Sequence, residues 1–267
     1  MGIKVNIANV SKTYGDEDDG DFVLALDSVS MTVEDGEFVS LLGPSGCGKS
    51  TLLYIVAGFE QPTRGRVYVS GRPVAGPGAD RGIVFQDYAL FPWMTVLDNV
   101  AFGLRLRGMT ARQCQEIARE HVALVDLTGF ENRFPHQLSG GMRQRCALAR
   151  SVANNPEVLL MDEPLAAIDA LTRNTLQEEI LKVCDARAGR ARKSVIYVTH
   201  SIEEAVFLSD RIVVMTPRPG RILEVIPVPF QRPRTDATRL APEFQQLAGH
   251  IWGTIKSYVR SREGALS

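Results

Sequence analysis

The stretch "FVSLLGPSGCGKSTLLYIVAG", residues 38–58, decides the fold. An apolar run ends at Leu42, the pattern Gly43-x-x-x-x-Gly48-Lys49-Ser50 follows, and a second apolar run opens at once. Strand, glycine-rich turn, helix is the context that a phosphate-cradling loop requires. Glycines let the backbone curl until successive N–H groups face a polyphosphate, and Lys49 adds a full charge. Ser50 offers a hydroxyl to Mg²⁺. The nucleotide contacts expected here are Gly43, Pro44, Ser45, Gly46, Cys47, Gly48, Lys49, Ser50 and Thr51. Positive potential in such a loop is expected to favour the Cys47 thiolate.

Such a loop needs a carboxylate for its magnesium. "VLLMDEP", residues 158–164, supplies one at the end of an apolar run. Two adjacent acids there can be a solvated strand tip. Beside a phosphate loop, Asp162 reads as the Mg²⁺ ligand, and Glu163 as the group that polarises attacking water. His200 also ends an apolar run, "SVIYVTH" at 194–200. Its alternatives are a structural histidine or a polar contact to the terminal phosphate. A second anion-grade helix start appears in "LSGGMRQR", residues 138–145, where Ser139, Gly140 and Gly141 would present bare N–H groups. It carries no lysine of its own, although the chain already has a phosphate loop with one.

Outward from these runs the chain reads as α/β, with ligands expected at the carboxyl ends of strands. Short alternating strands are expected in "IKVNIANV", "FVLALDSVSMTV" and "EFVSLL" before residue 43, and a hairpin turned at Ser70–Gly71 in "GRVYVSGRPV". Thr110 and Gln113 predict a capping box for a helix over about 110–128, and Ser201 with Glu204 predict another helix start. "PRPGRILEVIPVPFQRPR" reads as an extended edge. From Pro242, Phe244, Leu247, Ile251, Ile255 and Val259 recur near helical spacing, so a final amphipathic helix packs on the chain's own body or, second, on a partner.

Composition is that of a globular protein: 267 residues, 45% apolar, 23% charged. Thirty basic residues against thirty-one acidic ones give no field for nucleic acid. The acidic run "GDEDDGD" at 15–21 reads as a solvated loop. Four cysteines without a CxxC pair suggest neither zinc nor disulfides, and a reducing compartment fits. No signal-peptide core and no membrane-length apolar run are apparent, so any work at a membrane is expected through a partner.

Taken together these residues resemble the nucleotide-binding subunit of ABC transporters, in the family's order along almost the whole chain. "GPSGCGKST" resembles Walker A, Gln86 in "GIVFQDY" the Q-loop glutamine, "LSGGMRQR" the signature, "VLLMDEP" Walker B, and His200 the switch histidine. Tyr14 in "SKTYG" resembles the aromatic that stacks on adenine. The resemblance implies a P-loop NTPase of ABC type with a mainly parallel core sheet, an antiparallel β subdomain and a helical subdomain. It implies an ATPase domain over 1–230, with the helical subdomain inserted at about 88–155, and a C-terminal extension over 231–267. ATP and Mg²⁺ are the implied cofactors, with Ser50, Asp162 and Gln86 at the metal and Glu163, His200 and Gln86 catalytic. It also implies a head-to-tail dimer. There Ser139, Gly140, Gly141 and Gln144 of one copy act on ATP held by the other, and Asp169 lies in the interface loop. That loop reads Ala166-Ala167-Ile168-Asp169 where the family usually has a serine first.

Within the family, residues 76–104 resemble the importer branch for nitrate, alkanesulfonates and taurine. "GPGADRG", "TPRPGRI" and the tail "SREGALS" look most like the taurine ATPases. Phe91, Pro92 and Trp93 form either a socket for a permease helix or local core. The implied partners are a second copy, integral membrane permease subunits and, indirectly, a periplasmic binding protein. The implied place is the cytoplasmic face of the bacterial inner membrane. An ATPase of another importer in this branch, or a soluble non-transport ABC ATPase, is the alternative; a sugar-importer ATPase would be longer.

Overall fold

A computed structural model describes residues 2–16, 21–185 and 191–263. In chain order the elements are β1 (Ile3–Asp16), β2 (Asp21–Glu34), β3 (Phe38–Leu42), α1 (Lys49–Ala57), β4 (Arg64–Val69), β5 (Arg72–Pro73), β6 (Arg81–Val84), α2 (Val96–Leu106) and α3 (Ala111–Leu124). They continue with α4 (Gly140–Ala153), β7 (Val158–Asp162), α5 (Ala170–Cys184), β8 (Ser194–Thr199), α6 (Ile202–Leu208), β9 (Arg211–Met215), β10 (Ile222–Pro227), α7 (Asp236–Leu240) and α8 (Pro242–Glu263). Two compact units result: residues 1–78 with 194–267, and residues 79–193.

The first unit carries an antiparallel sheet in the order β2-β1-β4-β5, and a row β10-β9-β3-β8 in which β9, β3 and β8 run parallel. Every residue of β3 and β8 is buried, which is why both read as unbroken apolar runs. β1 and β2 span 14 residues each rather than the short strands expected. Register shifts between Ile7 and Val10 bend the ladder without ending it, and Asn9 and Ser28 take up the irregularity at φ 51°. The acidic run at 15–21 flanks the β1–β2 hairpin, with Asp16 paired to Asp21; residues 17–20 lie outside those described, as do 264–267 of the tail. Ser70 and Gly71, at φ 47° and 75°, make the expected tight turn between β4 and β5.

The second unit pairs β6 and β7 in parallel and packs α2, α3 and α4 together. Thr110 and Gln113 form the complete capping box of α3. Parallel strands, an antiparallel sheet and a helical portion are thus all present.

The segment after residue 230 is tied into the first unit by two arginines. α6 ends without a glycine cap; instead Arg234 donates to the carbonyls of Phe207 (2.9 Å) and Ser209 (2.6 Å), and Arg232 to that of Leu208 (2.6 Å). Arg234 also donates to Phe230 O at 2.9 Å. On α8, Phe244 and Ile251 are buried, Phe244 lies 5.9 Å from the Phe230 ring, and Thr254 donates to Glu224 at 2.9 Å. The last helix therefore packs on its own chain.

All four cysteines are reduced and buried. This corrects the reactive thiolate expected at Cys47: desolvation pushes its pKa up, against the pull of the Lys49 charge. Burial pushes Cys146 up to about 12.

Two outcomes follow for the folded chain. Arg234→Met leaves several buried carbonyls without a donor and costs about 2–4 kcal/mol in urea unfolding; an unchanged midpoint would contradict the capping role. A maleimide at pH 7 labels Cys47 far more slowly in the native chain than after denaturation, and equal rates would show the thiol to be accessible.

Candidate functional site

The first unit builds its site on adjacent strands. β3 and β8 pair in parallel up to Leu42 opposite Thr199, so the glycine loop and His200 leave the carboxyl ends of neighbouring strands. Gly48 stands at φ 95°, and a Cβ there would lie 2.7 Å from Leu26 Cδ2 and 2.9 Å from Ala25 O. Only glycine fits. Ser45 and Gly46 are exposed at the mouth of the loop. Lys49 is only 4% exposed, and its ammonium donates to the carbonyls of Gly43 (2.8 Å) and Pro44 (2.9 Å). A buried ammonium bonded to its own loop is a cation held ready for exchange with phosphate oxygens.

Tyr14 is 39% exposed and its hydroxyl donates to Thr51 Oγ1 at 3.4 Å, fixing the ring beside the first turn of α1. Lys12 Nζ stands 4.8 Å from the ring centroid. An exposed ring tethered next to a phosphate loop can stack on a base. His200 is exposed, and the turn that carries it is braced by a buried carboxylate. Glu204 accepts from Tyr197 (3.0 Å) and Thr199 (2.8 Å), while its N–H donates to Ser201 Oγ at 3.2 Å. Sequence reasoning gave Glu204 a helix-capping task; its buried side chain shapes the strand end instead.

In the second unit, all of β7 is buried and Asp162, at its end, is 3% exposed. Glu163 follows at φ 43°, a left-handed conformation rare for this residue type. Ala166 N–H then donates to Glu163 O at 3.1 Å, and Asp169 caps α5 by accepting from Thr172 N–H at 3.0 Å. Ser139 caps α4, accepting from Met142 N–H at 3.3 Å. A Cβ on Gly141 would lie 3.0 Å from Thr172 Cγ2, so the first turns of α4 and α5 abut, and their caps Ser139 and Asp169 are both exposed.

Gln144 departs from expectation. It is 2% exposed, with neither amide atom paired, so it faces the interior of the unit and not the surface that carries Ser139. At α-helical spacing, a residue five after the cap falls on a different face from the first turn.

Gln86 is exposed just beyond β6. Two and three residues on, Tyr88 and Ala89 are left-handed at φ 60° and 47°, and Arg150 of α4 clamps them by donating to both carbonyls at 2.9 and 2.5 Å. Sequence reasoning missed Arg150, although its place on the helix opened by "LSGG" could have flagged it. A cavity of about 610 Å³ lies beside this turn, lined by Ile83, Phe85, Phe91, Phe102, Leu106 and Arg150. Trp93, its ring 5.7 Å from that of Phe91, is 71% exposed, so this aromatic cluster is open surface as much as core.

Among the described residues no cluster of three or more His, Cys, Asp or Glu could hold a metal ion by itself. Ser50 and Asp162 each carry an oxygen that suits magnesium, a hard ion that keeps few protein ligands.

Residues 26–166 match the ABC transporter family. An uncharacterized ABC transporter ATP-binding protein, MJ0412 of Methanocaldococcus jannaschii, is 49% identical over 97% of this chain and 94% of its own. The taurine import ATP-binding protein TauB of Burkholderia pseudomallei is 54% identical over 78% of both chains. A dimeric post-hydrolysis ATP-binding cassette, MJ0796, bound to ADP and Pi superposes with a TM-score of 0.72 at 33% identity, over 85% of this chain and 100% of that one. The phosphate loop, strand-end carboxylates and signature helix thus stand in a known setting, and this chain belongs to the ABC transporter family as an ATP-binding, ATP-hydrolysing subunit.

Proposed function

We propose that this chain energises import of a small sulfonate, with taurine as the cargo, from the cytoplasmic face of a bacterial inner membrane. The observation that carries the cargo reading is the 54% identity to TauB, a taurine import protein by name. No described helix is long and apolar enough to cross a membrane, which agrees with a subunit that acts through a permease. The aromatic groove at Phe91 and Trp93 is the permease contact of this reading: wide apolar rings give large contact area at low entropic cost.

In the proposed reaction Lys49 exchanges its loop carbonyls for phosphate oxygens, and the loop N–H groups take up the remaining charge. Tyr14 stacks on the adenine. Ser50, Asp162 and Gln86 serve the Mg²⁺, which draws charge from the phosphates when bound. Glu163 orients and deprotonates the attacking water, and His200 steadies the terminal phosphate. A second copy supplies Ser139, Gly140 and Gly141, whose helix start needs no lysine because the first copy already has one. The dimeric state of MJ0796 and the exposed caps Ser139 and Asp169, on helices whose first turns abut, support a symmetric, head-to-tail pair. With ATP the pair closes; after hydrolysis the shared contact is lost and it opens.

Glu163→Gln retains ATP, loses turnover by about 10²–10⁴-fold and accumulates as an ATP-dependent dimer in size-exclusion chromatography. A monomeric, fully active variant contradicts the assigned roles. For the cargo, deletion of the gene abolishes growth on taurine as sole sulfur source in a host without a second taurine importer. Normal growth there removes taurine, and loss of growth on another sulfonate or on nitrate reassigns the cargo.

A further inference from the structure

The motif "TPRPGRI", residues 216–222, has no task in the reaction described above, yet it packs directly on the phosphate loop. Gly220 is the contact point: a Cβ there would lie 2.1 Å from Cys47 O, inside the Gly43–Ser50 motif. Only a residue without a side chain lets the two loops approach this closely.

The motif is also pinned on its other side. Gly220 N–H donates to Ala25 O at 2.9 Å and Asp27 N–H donates to Gly220 O at 3.0 Å, a parallel bridge to β2. Thr216 is buried; its hydroxyl donates to Pro219 O and accepts from Arg221 N–H, both at 2.9 Å. Arg221 pairs with Asp27, donating from Nε at 2.9 Å. Pro217 and Pro219 flank the exposed Arg218, so the backbone of the tip has little freedom.

The arginine between them reaches the phosphate loop. Arg218 Nη2 lies 3.7 Å from the point where a Cβ on Gly46 would stand. Among the described residues, and apart from Gly46's chain neighbours, no other heavy atom lies within 4 Å of that point. Gly46 is at the exposed mouth of the loop, at φ 74°, where polyphosphate oxygens approach the backbone.

We propose that Arg218 is a second phosphate-binding cation of this site, reaching over Gly46 to the β- and γ-phosphates of the nucleotide that Lys49 anchors. A guanidinium keeps its charge at every physiological pH and presents paired donors that match phosphate oxygens. Lys49 is a point charge at the floor of the loop; Arg218 is a planar fork at its mouth. This inference rests on the reading of residues 43–51 as a nucleotide site.

Calorimetric titration of the full chain with MgATP, MgADP and AMP separates the two. Arg218→Ala weakens MgATP and MgADP about tenfold, with AMP changed less than about twofold and the nucleotide-free melting temperature unchanged. Arg218→Lys recovers part of the loss, because charge returns without the fork. Equal MgATP affinity in wild type and Arg218→Ala, or an equal loss for AMP, overturns the proposal. A wild-type chain that binds none of the three overturns the nucleotide site itself.

Discussion

A polyanion can be gripped by backbone N–H groups only where side chains keep out of the way. The loop after β3 meets that constraint on several sides. Met215 O, Ala25 O and Leu26 crowd Gly43 and Gly48 to within 3.0 Å of any added Cβ. Gly220 in turn yields its own side chain so that a second loop can approach Cys47 O. The core beneath has to be dry and continuous to hold this, and the unbroken burial of β3 and β8 supplies it. Lys49 then has an inexpensive resting place on two carbonyls from which to leave. The same crowding removes Cys47 from solvent, and that desolvation raises its thiol pKa against the pull of the Lys49 charge.

Features written in consecutive residues were legible. The glycine loop between apolar runs, the capping box at Thr110, the Ser70–Gly71 turn and the buried strand before Asp162 each follow from local spacing. Features made by residues far apart were not. Arg150 clamps a turn 61 residues upstream, Arg234 caps a helix end 27 residues earlier, and Arg218 meets Gly46 across 172 positions of chain. An arginine has no period and no fixed partner, so composition says only that it is charged. Gln144 was misread for a related reason: a motif read as a string carries no helical phase, and its phase turns it inward. The 14-residue strands β1 and β2 were missed because a bulge interrupts alternation without ending the strand.

The missing serine after Glu163 has a local answer. The turn closes through Ala166 N–H on Glu163 O, a backbone bond that any residue but proline at 166 can make, and Asp169 still caps α5. The first turns of α4 and α5 abut at Gly141 and Thr172. Both helix starts are exposed and capped by a side-chain oxygen, Ser139 on α4 and Asp169 on α5, which takes up one of the N–H groups left without a partner there.

The account depends most directly on Lys49 leaving its two carbonyls for the nucleotide. Calorimetry of MgATP binding to Lys49→Ala tests this. The structure predicts an affinity at least about 30-fold weaker than wild type, since a charge-assisted contact in a desolvated loop is lost while the loop itself persists. Equal affinity would place the phosphates somewhere other than the loop after β3, and the account would fail.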